Sequence, residues 1–180
     1  MSDSCNLQAK ISRRSFLFLS GGALALVAMP PELARAAAAR GLSLVRVSYP
    51  RQKIGRLSAL QLGRPVAFQY PHQHPNCSAL LYKLGAPAGG GIGPDGDVVA
   101  FNNLCTHQGS PIPYFDAVNQ VAGPCPLHLT TFDLTRHGMV ISGHATDGLP
   151  QVVLELDGDD IYATGMMGLI FGFHNNEVIP

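Results

Sequence analysis

Two cysteines and two histidines stand in two short segments, Cys105-Thr106-His107 and Cys125-Pro126-Leu127-His128, with seventeen residues between them. Two thiolates and two imidazoles suit either a tetrahedral zinc ion or a binuclear 2Fe-2S cluster carrying Cys on one iron and His on the other. Zinc fingers usually set a Cys pair in one segment and a His pair in the next. Here each segment brings one of each, which suits a dinuclear group, because each iron can draw a like pair from two loops. Pro111, Pro113, Pro124 and Pro126, with Gly109 and Gly123, make these connections stiff loops rather than helices.

Short strands must position those loops. DVVAFNNL, residues 97–104, feeds the first segment, and LTTFDL follows the second. LSLVRVSY (42–49), RPVAFQY and SALLYKL have strand length and composition, and QVVLELDGDDIYATG reads as a hairpin with strands at 151–156 and 160–164 around Asp157-Gly158-Asp159. The segment GAPAGGGIGPDGD (85–97) lacks the Gly-Lys-Ser/Thr ending of a phosphate loop and reads as a surface loop. With no long helical periodicity, 14 Pro and 20 Gly, the chain is expected to be all-β, an antiparallel β sandwich or small barrel.

A chain of 180 residues, 46% hydrophobic and 13% charged, can build one compact core. Its net charge of zero gives no argument for nucleic acid. The charges are nevertheless uneven: six basic and no acidic residues lie between Arg40 and Arg64, and ten acidic residues with only Arg136 follow from Asp95 onward. This predicts a solvated face of each sign, or a docking surface for a charged partner. Residues 1–40 read as a twin-arginine export signal: Arg13-Arg14 precede an apolar run from Phe16 to Met29, and Ala34-Arg35-Ala36 offers a cleavage site. The 14-residue run falls short of the roughly 20 needed to span a bilayer, so no stable transmembrane anchor is expected. The location expected is periplasmic, or membrane-associated if the signal is retained. Residues 41–180 are expected to form the functional domain, with about 97–150 as the part that would bind the metal or cluster. Cys77, Cys105 and Cys125 are an odd number for an exported disulfide scaffold, and Cys77 reads as a buried, inert thiol.

C-T-H-Q-G followed by C-P-L-H resembles the signature of Rieske iron-sulfur proteins. The resemblance implies one 2Fe-2S cluster, with Cys105 and Cys125 on one iron and His107 and His128, through Nδ1, on the iron that takes up the electron. GGIGPDGDVVAFNNLCTHQG, CPLHLTTFDL, GLPQVVLELDGDDIYATG and LIFG together resemble the small subunit of arsenite oxidase over most of the mature chain. That resemblance implies a large molybdopterin catalytic subunit as partner, in a heterodimer or larger complex. It also implies a cytochrome c or azurin-like cupredoxin as acceptor, and no substrate chemistry on this chain. The disulfide of cytochrome bc Rieske proteins would need Cys where this chain has Ser110 and Leu127. Their hydroxyl-bearing Ser and Tyr correspond to Thr130 and Phe132, and the missing Tyr hydroxyl predicts a potential below the top of the roughly −150 to +300 mV Rieske range.

Other histidines carry weaker expectations. His72 and His74 form an H-x-H more suited to a partner-facing loop than to a metal, and His137 and His174 read as surface residues. His144 lies in a segment corresponding to a third loop that shields the cluster, with Pro150 as its proline. A ferredoxin for a ring-hydroxylating oxygenase and a zinc-held binding module are the alternatives, the former disfavoured by the export signal.

Overall fold

The computed structural model describes residues 48–176. The expected export signal lies outside the described residues, as does most of the strand expected at 42–49; Ser48 and Tyr49 carry no strand pairing. Ten strands follow in chain order: β1 (Gln52–Arg56), β2 (Val66–Gln69), β3 (Ser78–Lys83), β4 (Val98–Asn102), β5 (Phe115–Asp116), β6 (Val121–Ala122), β7 (Thr131–Asp133), β8 (Met139–Ser142), β9 (Gln151–Asp157) and β10 (Asp160–Met167). Among the described residues the only helical pieces are three single 3-10 turns. The all-β reading therefore holds.

The strands form two antiparallel sheets, a six-stranded one in the order β1-β10-β9-β4-β3-β2 and a four-stranded one in the order β5-β6-β7-β8. Side-chain alternation along β3 and β4 divides the interior in two. Ala79, Leu81, Val98 and Ala100 enter one core with Tyr70, Val152 and Ile161. Tyr82, Val99 and Phe101 enter the other with Cys105, Cys125, Ile112, Phe132 and Leu149. All five residues of β4 are buried, because both of its faces are covered, and this is why DVVAFNNL reads as a continuous apolar run.

The end of β4 hands the chain to the site. The Asn102 side chain, fully buried, donates from Nδ2 to the Asn76 carbonyl (2.7 Å) and accepts the Leu104 amide on Oδ1 (3.0 Å). Backbone bonds from Asn103 to Ser78 and from Ile112 to Asn103 tie the entry and exit of the first loop to the large sheet.

The uneven charges find each other. β1 lies beside β10, so Arg51 meets Glu155 (2.9 Å) and Asp157 (3.4 Å), Lys53 meets Asp160 (2.5 Å), and Arg56 also reaches Asp160 (3.5 Å). Instead of two faces of opposite sign, the fold builds one mixed ion-pair ladder on an exposed edge. Such pairs contribute little each and weaken with salt.

Candidate metal centre

The two Cys/His segments fold into loops with the same backbone bonding. In each, the Cys amide donates to a carbonyl five residues on (Cys105 to Ser110, Cys125 to Thr130; both 2.8 Å), and the amide four residues on returns to the Cys carbonyl (Gly109, 2.7 Å; Leu129, 2.9 Å). The fourth residue after the Cys must be left-handed to close this turn: Gly109 has φ 71° and Leu129 has φ 62°. Gly supplies that conformation freely, whereas Leu stores strain there. Phe171 packs directly on Gly109, where a Cβ would clash with its ring.

Cys105 and Cys125 are both buried, close enough for each to shift the other's ionisation. Burial pushes the Cys105 thiol up, the His107 amide pulls the other way, Cys125 raises it further, and the Thr130 hydroxyl opposes them. Cys125 settles below its ordinary value: burial raises it, but the Leu127 and His128 amides and the Cys105 and Ser110 side chains outweigh that. The His107 and His128 rings lie outward of the thiols, with centroids 4.7 Å apart and planes nearly perpendicular. His144 joins them from the segment after β8, 5.7 Å from His107 and 6.0 Å from His128.

The donors thus divide into a buried thiol pair and a more exposed imidazole pair. Among the described residues, no group of three or more His, Cys, Asp or Glu converges on a point fit for a single metal ion. This donor chemistry fits a 2Fe-2S cluster, which takes like ligands pairwise and keeps its thiolates dry.

Comparison with known proteins decides the family: the Rieske 2Fe-2S domain matches residues 52–153. The chain is a Rieske protein. It is 57% identical over 171 residues to iodate reductase subunit IdrB of Denitromonas iodatirespirans, covering 94% of this chain and 89% of that protein. It is 52% identical over 177 residues to iodate reductase subunit IdrB of Pseudomonas sp. (strain SCT), covering 96% and 88%. Among solved structures, the soluble domain of the Rieske protein II (soxF) from Sulfolobus acidocaldarius superposes with a TM-score of 0.62 at 24% identity, over 71% of this chain and 83% of that one, which supports the fold. As a Rieske domain, the chain binds a 2Fe-2S cluster.

The groups around the candidate ligands divide into those anticipated and those not. Thr130 is fully buried; its hydroxyl accepts the His144 amide (3.1 Å), and its side chain pulls the Cys105 thiol down. Phe132 is also fully buried, in the same apolar cluster as both cysteines. Pro150 is buried against Gly168, and its carbonyl accepts the Asn102 amide (2.8 Å). From the third loop it is His144 that faces the candidate ligand rings. Ser110, which the sequence marks only as the place of a missing disulfide, helps to pull the Cys125 thiol down, while its hydroxyl donates to the Pro111 carbonyl (3.3 Å). All three cysteines in the described residues are free.

Among the remaining histidines His174 is exposed, as expected of a surface residue, and His72, His74 and His137 have structural duties. His72 Nε2 donates to the Asn176 carbonyl (3.2 Å), and His74 Nδ1 accepts the Asn76 amide (3.1 Å), so the H-x-H pair fastens loops. Burial raises the Cys77 thiol, as the inert reading requires. His137 is exposed, as expected of a surface residue, but it is also bonded: its Nδ1 donates to Gln151 Oε1 (2.7 Å), while Gln151 Nε2 donates to the Gly89 carbonyl (2.8 Å). That chain of bonds pins the glycine-rich loop to the segment leading out of the site.

Proposed function

We propose that this chain is the one-electron carrier subunit of an exported oxyanion oxidoreductase, with Cys105 and Cys125 on one iron and His107 and His128 on the other. The segregation of a buried thiol pair from an outward imidazole pair carries the ligand assignment. When bound, the cluster supplies a one-electron couple of high potential, because neutral imidazoles replace two thiolates.

The protein's own part is to exclude water from the thiols, to set the Leu127 and His128 amides and the Thr130 and Ser110 side chains where they favour thiolate, and to present the imidazoles outward. The partner is a larger molybdopterin catalytic subunit. The soluble partner is a periplasmic cytochrome c or a cupredoxin, reached after twin-arginine export signalled by Arg13-Arg14. No helix among the described residues is long and apolar enough to cross a membrane.

Iodate is the favoured substrate of the complex, on the strength of two relatives more than half identical over nearly the whole chain. Electrons then enter through this subunit and pass to the catalytic one. Arsenite oxidation, with the opposite flow, is the second reading, favoured by the resemblance around GGIGPDGDVVAFNNLCTHQG and CPLHLTTFDL.

The test is electron paramagnetic resonance of the purified complex. A Rieske signal generated by dithionite and lost on adding iodate supports the first reading. A signal generated by arsenite supports the second. Stoichiometric zinc without iron or acid-labile sulfide would sink both.

A further inference from the structure

A groove of about 820 Å³ opens beside the first Cys/His loop. Met167, Leu169 and Phe171 line it with 44%, 51% and 36% of their surface exposed, together in one patch rather than scattered singly. Thr106, between two of the candidate ligands, and Asp147 of the third loop line it as well, and their segments are joined by a hydrogen bond from Thr106 Oγ1 to the Asp147 carbonyl (2.6 Å). Phe171 lies on Gly109 of the same loop. The groove is therefore continuous with the loop that carries Cys105 and His107.

The charge around it is as telling as its shape. Residues 103–115, 123–132, 137–154 and 161–176, which include both Cys/His loops, the third loop and the groove wall, contain a single formally charged side chain, Asp147. The ion pairs of the fold lie elsewhere, on β1 and the ends of β9 and β10, at Lys83–Asp97 and at Asp133–Arg136. A soluble redox partner that meets and leaves this chain quickly needs charge to steer it and little apolar area. A permanent subunit needs the opposite.

We propose that this groove seats an uncharged, apolar segment of the catalytic subunit, fixing that subunit against the cluster loop through a contact that owes little to salt. The inference rests on the catalytic-subunit reading above.

The experiment is copurification of the tagged full chain with the catalytic subunit from cells expressing both, for wild type, Leu169→Glu, Met167→Glu and, as a control outside the groove, Leu62→Glu. The wild-type complex is expected to survive about 1 M NaCl, where screening reaches about 3 Å. Leu169→Glu and Met167→Glu are expected to lose the catalytic subunit about tenfold or more, since a buried unpaired charge costs several times the 1.4 kcal/mol that tenfold represents. Leu62→Glu retains it, and the Rieske spectrum is unchanged in all four.

Three outcomes would overturn the proposal: undiminished copurification of Leu169→Glu, dissociation of the wild-type complex by moderate salt, or a wild-type dimer that Leu169→Glu converts to monomer, which would assign the groove to a second copy. Failure of wild type to copurify with any molybdenum subunit would instead sink the reading on which it rests.

Discussion

Removing the Thr130 hydroxyl should lower the reduction potential. Thr130 is fully buried, its oxygen is engaged as acceptor by the His144 amide, and its side chain opposes the rise in the Cys105 pKa as a donor to the sulfur would. A donor to a candidate ligand sulfur favours the more negative, reduced state, in the same sense in which it opposes the rise in the Cys105 pKa. A net hydrogen bond of about 0.5–1.5 kcal/mol corresponds, for one electron, to about 20–60 mV. Thr130→Val keeps the shape and removes the donor, so its potential should fall by about that amount, whereas Thr130→Ser should stay close to wild type. The assay is a mediated redox titration followed by the Rieske resonance, on variants shown to carry full iron and sulfide. A fully loaded Thr130→Val with a wild-type potential, beside a Thr130→Ser that also keeps it, would refute the reasoning; Thr130→Ser retains the acceptor for the His144 amide that Thr130→Val loses.

Phe132→Tyr should raise the potential by a comparable amount, since the ring shares a dry cluster with both cysteines; the same titration checks it. Gly109→Ala should destabilise the protein by about 1–3 kcal/mol in thermal or denaturant unfolding, through its φ of 71° and the clash with Phe171. Asp159 accepts the Ser58 amide (2.8 Å) and hydroxyl (2.6 Å), and these bonds hold its carboxylate below the ordinary 3.8. A depressed folded-state pKa contributes stability above the ordinary value and loses it as pH falls through the folded one. Wild type should therefore exceed Asp159→Asn in stability at neutral pH, and the gap should close on acidification below 3.8; a gap that persists in acid would count against it.

The candidate ligands and most of the strands were legible because both are local. Cys105, His107, Cys125 and His128 fall in two short motifs whose spacing limits what they can bind, and β4, β9 and β10 announce themselves by β-branched runs ended by turn residues. The short strands β1, β5, β6 and β8 were not legible. With only two to five residues each, they owe their pairing to neighbours rather than to propensity.

What the sequence by itself determined is thus which atoms are available to hold a cluster and that a β scaffold carries them. What only the tertiary structure decided is who stands beside whom. Ser110 helps to lower the Cys125 pKa because two loops distant in the chain close face to face. His144 joins the imidazole pair from a third loop, and basic β1 neutralises the acidic β9–β10 hairpin because antiparallel pairing makes them neighbours. Met167, Leu169 and Phe171 look in sequence like core residues of a last strand and the segment after it. Only the path of the chain past Gly109 leaves them uncovered beside the site, because burial depends on which surfaces the fold brings together rather than on composition.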